Sequence, residues 1–528
     1  MKKWLALSIL LCAFGCTRKP GGRNVLRYHI ESEPPTLDTT AIHDHVSFEV
    51  LYGLVEGLTR YNDDLKVIPG LAERWEVSRD GKTYTFFLRD TKWSDGVPVR
   101  AGDFVFAWRR LLEPLRAAEY AYFLFDIEGA HDYNAGKLAD FAKVGIKALD
   151  DKRLEVKLSH PASYFLHIPT FQLTAPLRED IVLAHPTEFT EPQYFRATGP
   201  YRLRKWVHDS KVVLEPNPYY WGDKAKIEDV EFLVVKEDST ALTMYEQGEL
   251  DVVFRIPSLD LDRIKKRKDY KSQPVLRGYY YGFNVEMKPF DNVLVRKAFA
   301  HAVNRQEVVT ALKGGQIPTT SWVPRGMFGY EDSVGLPYDP ALAKSLLAKA
   351  GYPAGKNFPK VTMMYDSLEL NKTVAERLQY AWKTVLGIPE IEIQTQEWKV
   401  YLDTLTHNTP MVWRMGWGAD FPDPHNFVDL FTSASGNNNT HWKNPGYDAL
   451  VLKAASSASP TDRLAMYKKA QKILLEDDAV IVPLFQTSTE MMVKPYVVNF
   501  RIDPMENPRF PTAWIGTPPQ NTSSDLAR

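Results

Sequence analysis

The chain has 528 residues, 44% hydrophobic and 25% charged, near the average for folded soluble proteins. This excludes a wholly disordered, collagen-like or polytopic membrane protein. Its 65 Lys+Arg against 66 Asp+Glu leave a net charge of −1, so no basic excess exists to neutralise a phosphate backbone, and nucleic acid is not expected as a partner.

In chain order, Met1-Lys2-Lys3 precedes the apolar run Trp4–Phe14. Eleven residues span about 16 Å as a helix against roughly 30 Å of hydrocarbon, too short to cross and long enough for a signal-peptide core. Gly15-Cys16 and the polar leash Thr17–Arg23 follow. The arrangement resembles a bacterial lipoprotein signal. Residues 1–15 are then the signal, Cys16 the acylated first residue and 16–23 a flexible leash. An ordinary secretory signal with an incidental cysteine is the alternative. The two cysteines are Cys12 and Cys16, so the rest of the chain has neither an internal disulfide nor a thiolate nucleophile.

Alternating β-branched and aromatic residues predict half-buried strands at Val25–Ile30, Tyr84–Leu88 and Leu154–Leu158. More continuous apolar runs predict buried strands at Glu231–Val235 and Ala479–Phe485. Phe104, Ala107, Trp108, Leu111 and Leu112 recur on one face of a helix. Asp339-Pro340 starts a second helix with Leu342, Leu346 and Ala350 facing inward before Gly351. Val374, Leu378, Ala381, Trp382 and Val385 form a third, stopped by Gly387. Ser459-Pro460-Thr461-Asp462 starts a fourth with Leu464, Tyr467 and Leu474 on one side. Strands and helices interleaved in this way predict an α/β fold.

A search for reactive motifs finds no G-x-S-x-G, Walker A, G-x-G-x-x-G or H-E-x-x-H. His43-Asp44-His45 has the spacing of two metal ligands on one strand face, but no third ligand is near in sequence, and exposed loop histidines are the expectation. The pairs Asp63-Asp64 and Asp477-Asp478 sit in turn-like contexts and read as solvated. No cofactor and no catalytic group are expected.

One segment is built for binding: Arg414-Met-Gly-Trp-Gly-Ala-Asp-Phe-Pro-Asp-Pro424. Gly416 and Gly418 flank Trp417, so backbone can approach a ligand. Trp417 offers a flat apolar wall, and Asp420 follows in a loop stiffened by Pro422 and Pro424. A carboxylate beside an indole suits an ammonium group, whose desolvation costs several kcal/mol unless an anion pairs with it. Arg414 suits a carboxylate. A structural Gly-rich turn around a packed Trp is the alternative. In Tyr279-Tyr280-Tyr281, alternation puts Tyr280 on one face and Tyr279 and Tyr281 on the other. At least one packs in the core, and one could donate to ligand backbone.

At these residues the chain resembles the extracytoplasmic solute-binding proteins of peptide-importing ABC transporters. The resemblance rests on an ordered set: Leu54-Val-Glu-Gly-Leu58, Trp93-Ser-Asp-Gly-Val-Pro-Val99, Asp103-Phe-Val-Phe-Ala-Trp108, Gly199-Pro-Tyr201, Asn217-Pro-Tyr-Tyr-Trp221, Gly248-Glu-Leu-Asp251, Tyr279-Tyr-Tyr281, Val295-Arg-Lys-Ala298, Asn304-Arg305 and Gly416-Trp-Gly-Ala-Asp420. The resemblance implies a two-lobed, type II periplasmic-binding-protein-like α/β fold with a small extra domain inserted in the first lobe. Lobe I would comprise residues 24–55, 180–276 and 488–528, the insert 56–179, and lobe II 277–487. It further implies that Asp420 pairs with a peptide α-ammonium, Trp417 and Gly416 line a side-chain pocket, and Arg414, Tyr120 and Tyr280 belong to the cleft. Where peptide binders can carry an Arg and a His for peptide C-termini, this chain has Leu405 and Asn371, and a tyrosine is replaced near Thr487. The implied protein is a monomeric, lipid-anchored binder of oligopeptides, non-enzymatic, with an ABC permease as partner. A cell-wall peptide, a metal or haem complex, or a secreted hydrolase with an unrecognised site are the alternatives.

Overall fold

The structure is a computed structural model and describes residues 24–257 and 259–516. The signal, Cys12, Cys16 and the leash lie outside the described residues. No described helix is long and apolar enough to cross a membrane.

A mixed sheet runs through the molecule. Its order is Ile391–Gln396, Val361–Asp366, Val412–Gly418, Tyr270–Phe283, Ile481–Val493, Val252–Phe254, Val25–Ile30, Asp229–Val234, Lys211–Pro216 and Tyr201–Val207. Val25–Ile30 lies parallel to Asp229–Val234, and Val361–Asp366 parallel to Ile391–Gln396. The remaining neighbours are mostly antiparallel, as in mixed α/β sheets. The two long strands belong to both lobes. Tyr270–Pro274 pairs with Ser488–Met492 beside the first-lobe strands, whereas Gly278–Gly282 pairs with Ile481–Gln486 beside Val412–Gly418. Between these stretches the register shifts, from Pro274 to Gly278 and again from Tyr279 to Tyr280. Proline has no N–H for the ladder, so the strand bulges here. The Gln486 side chain takes over, accepting from Arg325 N at 3.1 Å and donating to the carbonyls of Val275 and Arg325.

A second, antiparallel sheet stands apart, in the order Ala72–Val77, Thr83–Leu88, Arg153–Lys157 and Ile146–Ala148. The helix Ala101–Leu112 covers it and buries all five residues of the predicted face. This unit is welded onto the first lobe, because Leu26, Tyr28, Phe104, Trp108 and Phe232 share one hydrophobic cluster. The second lobe has its own cores, one around Phe299 and Trp382, another around Trp322 and Trp413.

Three sequence expectations need correction. The last long strand spans Ile481–Val493 instead of ending at Phe485. It continues as the crossover, where Thr487–Glu490 are only partly buried and give no apolar signal. Asp339 does cap the helix Pro340–Lys349, accepting from Leu342 N at 2.9 Å, but the buried residues are Ala343 and Leu347. Leu342 is 40% exposed. Leu346 and Ala350 do pack, partly buried, against the same core as expected, and packing on Val293–His301 centres the buried face one position further on. In Pro460–Lys472 Tyr467 is buried as expected, and Leu474 just beyond it, whereas Leu464 is 42% exposed.

Candidate ligand-binding site

A cavity of about 1080 Å³ opens between the lobes, lined from one side by Tyr52, Glu56, Tyr120 and Tyr122 and from the other by Tyr279, Trp398, Arg414 and Gly416–Asp420. The strand Val412–Gly418 brings the Gly-rich motif to the wall. At Gly416 the neighbouring backbone is close, and a Cβ would lie 3.0 Å from the Gly278 carbonyl oxygen.

Beyond Gly418 the chain turns into the Asp420 loop, tied to the crossover by Ala419 N donating to Leu276 O at 2.8 Å. Asn426, on the short helix His425–Val428, reaches back to fix the loop. Its Oδ1 accepts from Asp420 N at 2.9 Å and Trp417 Nε1 at 3.0 Å, and its Nδ2 donates to Asp420 Oδ2 at 3.0 Å. Among the described residues Asp420 has no ion-pair partner. Burial pushes its carboxyl up to about 6, with the Asn426 hydrogen bond acting in the opposite direction. The phenols of Tyr120 and Tyr122 are pushed up by burial and then by the charge of Asp420, which places all three groups in one field. A desolvated carboxylate with one amide donor, walled by indole and phenol rings, is shaped for a cation.

Arg414 is already engaged. Its Nη1 lies 2.8 Å from Asp366 Oδ1, and its guanidinium carbon lies 4.6 Å from the Tyr279 ring centroid. Behind it, Asn371 Nδ2 donates to Asp366 Oδ1 and Tyr279 Oη donates to Asn371 Oδ1, each at 2.8 Å. Asn371 is therefore fully buried beneath the wall and not on it, a correction to its expected place in the cleft. Tyr280 is also corrected. It is 3% exposed and packs edge-on against Trp322, Trp413 and Phe431. The register aligns Tyr281 with Arg414 and Tyr279 with Gly416, so Tyr279 takes the cleft face and Tyr280 the core face. Leu405 is buried in the core and does not reach the cavity, whereas Thr487 lines it. Asp420, Trp417, Arg414, Gly416 and Tyr120 are brought together. Tyr279, Tyr122, Asp366 and Asn426 were missed: strand parity pointed to Tyr279 only once the pairing register was known, and Asn426, six residues after Asp420, carries no local signal.

On the opposite wall Glu56 accepts from Trp221 Nε1 at 2.6 Å and Tyr220 Oη at 3.2 Å, joining residues 165 and 164 positions apart in the chain. Asp44 caps the helix His45–Leu54 through Ser47 N at 2.9 Å, and His45 faces Glu49 at 3.1 Å. Among the described residues no three His, Cys, Asp or Glu side chains converge as metal ligands.

A two-lobed sheet protein with a cavity at the crossover has the architecture of a type II periplasmic binding protein. The chain belongs to the bacterial extracellular solute-binding proteins, family 5, whose middle-region model matches residues 66–439. It is 34% identical over 519 residues to the oligopeptide-binding protein OppA of Bacillus subtilis (strain 168), covering 92% of this chain and 95% of that one. Among solved structures it is similar to the unliganded open form of the periplasmic murein tripeptide binding protein MppA, with a TM-score of 0.82, 30% identity and coverage of 93% and 97%. The Haemophilus influenzae OppA complex with RPPGFSPFR gives a TM-score of 0.73 at 32% identity, covering 94% and 99%. These relatives are peptide-binding solute-binding proteins.

Proposed function

We propose that this chain captures oligopeptides outside the cytoplasm and delivers them to an ABC permease. The observation that carries the reading is Asp420: a half-buried carboxylate with no cationic partner among the described residues, held by Asn426 and facing the interlobe cavity. A peptide α-ammonium completes that charge, and the extended backbone that follows lies between the lobes as an added strand. Bridging waters make such contacts tolerant of side-chain sequence. The greater likeness to an unliganded open form than to a peptide complex supports the open arrangement here. Closure then is a population shift about the crossover strands, near residues 276 and 487, driven by ligand that prefers the closed form. In this reading 56–179 is a small domain on lobe I, the protein acts as a monomer, and acylated Cys16 holds it at the membrane face.

A murein tripeptide is the second reading, suggested by the 30% identity over 93% of this chain to the murein tripeptide binder. Native mass spectrometry of the purified protein separates the two. Co-purified peptides of mixed sequence support the first reading, and a single cell-wall peptide supports the second. For either, Asp420→Ala is expected to lower affinity for a free-amine peptide at least 100-fold in calorimetry and to spare the fold. Equal affinity for N-acetylated and free-amine peptides would overturn the role of Asp420.

A further inference from the structure

Residues far apart in the chain meet on the outer side of the Asp420 loop. Tyr164, from the unit with the separate sheet, is 7% exposed and stacks both on Phe421 of the loop and on His425 at the start of the helix that follows it. Its ring centroid is 5.4 Å from Phe421, with an interplanar angle of 11°, and 4.4 Å from His425, at 14°. His167 also stacks on Phe421, at 6.0 Å, and Tyr164 Oη donates to Asp126 Oδ2 at 2.8 Å. One residue before Tyr164, Ser163 N donates to Ala455 O at 2.8 Å. Phe421 and Ala455 accordingly belong to the hydrophobic cluster of the first lobe, although the chain around them belongs to the second.

We propose that this Tyr164–Phe421–His425 stack is a third pivot between the lobes, and that it keeps the Asp420 pocket assembled in the open and the closed states alike. The proposal rests on the ammonium reading and says how that site behaves during closure. Two crossover strands alone leave the lobes free to twist as well as close. A third contact, away from the strands, fixes an axis. The Asp420 loop lies on that axis: Ala419 is bonded to Leu276 of the crossover at one end, and Phe421 and His425 sit in the stack at the other. Groups on a rotation axis move least. The ligand's amino end is thus captured first, by Asp420 with Tyr120 and Tyr122 already beside it, and the cavity walls away from this axis travel furthest. Tyr164 is a positioning residue, acting through His425 and its neighbour Asn426.

The first test needs no ligand. In Tyr164→Ala, the amides of Asn426, Phe427 and Val428 are expected to exchange about tenfold faster, with those of Val412–Gly418 unchanged. Tyr164→Phe keeps the ring, loses the Asp126 bond and is expected to exchange as the parent does. Unchanged exchange in Tyr164→Ala overturns the proposal. The second test is a tether. Ser163→Cys with Ala455→Cys, in the full chain carrying Cys12→Ser and Cys16→Ser, places two thiols where the backbones are already hydrogen-bonded, and mass spectrometry checks that the disulfide has formed. The oxidised protein is expected to bind RPPGFSPFR within twofold of the reduced form and to compact equally in small-angle scattering. Loss of compaction, or tenfold weaker binding restored by reduction, overturns the pivot. In Tyr164→Ala the ratio of affinities for RPPGFSPFR and its N-acetyl form is expected to fall about tenfold; a general loss of packing would lower both together. If the untethered parent binds neither form, the peptide reading fails, and the exchange result alone decides the pivot.

Discussion

Asp420 sets function against stability at a single residue. Its carboxyl, ordinarily ionised well below neutrality, is held near 6 by burial. A folded-state value above the unfolded one means the protonated form is favoured by folding. That contribution is complete at low pH and is lost as pH rises from about 4 through 6, so that ionised Asp420 costs up to about 2–3 kcal/mol at neutral pH. Asp420→Asn keeps the shape and removes the buried charge. Its melting temperature at pH 7 is expected to exceed that of the parent in the ligand-free state, with the gap closing below about pH 4. Equal melting temperatures at both pH values would refute the buried-charge argument. Ligand reverses the balance, because an ammonium repays the desolvation. Binding therefore requires the ionised form, and at pH 5 affinity for a free-amine peptide is expected to be about tenfold weaker than at pH 7. Calorimetry in buffers of different ionisation heat should show proton release at the lower pH. The chemistry of this residue was legible from the sequence, because Asp420 sits beside Trp417 in a Gly- and Pro-bounded loop. Its orientation was not, because Asn426 sets it by a backbone turn that no periodicity announces.

At the scale of elements, local signals placed helices and strands well and their partners less well. Asp339 and Ser459 cap the helices their sequences predicted, since a cap is a bond to an amide three residues away. The face of Pro340–Lys349 was read one position off centre: Leu346 and Ala350 do pack against the core, but Ala343 and Leu347 are its fully buried residues and Leu342 falls outside, a choice made by the neighbouring helix. Truncation separates the two. Leu347→Ala is expected to cost about 2–5 kcal/mol, as for a fully buried leucine, and Leu342→Ala less than about 1 kcal/mol. Urea titration of both variants checks this, and a larger cost at Leu342 would contradict the observed face. The same limit explains Tyr280. Parity divided the three tyrosines correctly, but the choice of which face meets the cleft belongs to the register with Val412–Gly418. Long pairings such as Tyr281 with Arg414 span more than 130 residues, and nothing in either strand alone encodes them.

The whole molecule gathers these elements around one joint. Two strands cross it, and at the joint their ladder is replaced by the side chain of Gln486, so bending there breaks fewer backbone hydrogen bonds than bending anywhere else along them. The cavity lies at that joint, and a ligand touching both walls converts its contacts into closure. For a ligand that binds only the folded protein, a free concentration of 100 times Kd adds about 2.7 kcal/mol of stability. A free-amine peptide at that concentration is therefore expected to raise the melting temperature by several degrees and to lower the radius of gyration in small-angle scattering. The N-acetylated peptide at the same concentration cannot pair with Asp420 and is expected to do neither. The two readouts must move together. A peptide that raised the melting temperature with no change in dimensions would mean that the ligand binds one lobe alone, and the open arrangement would then be the functional one.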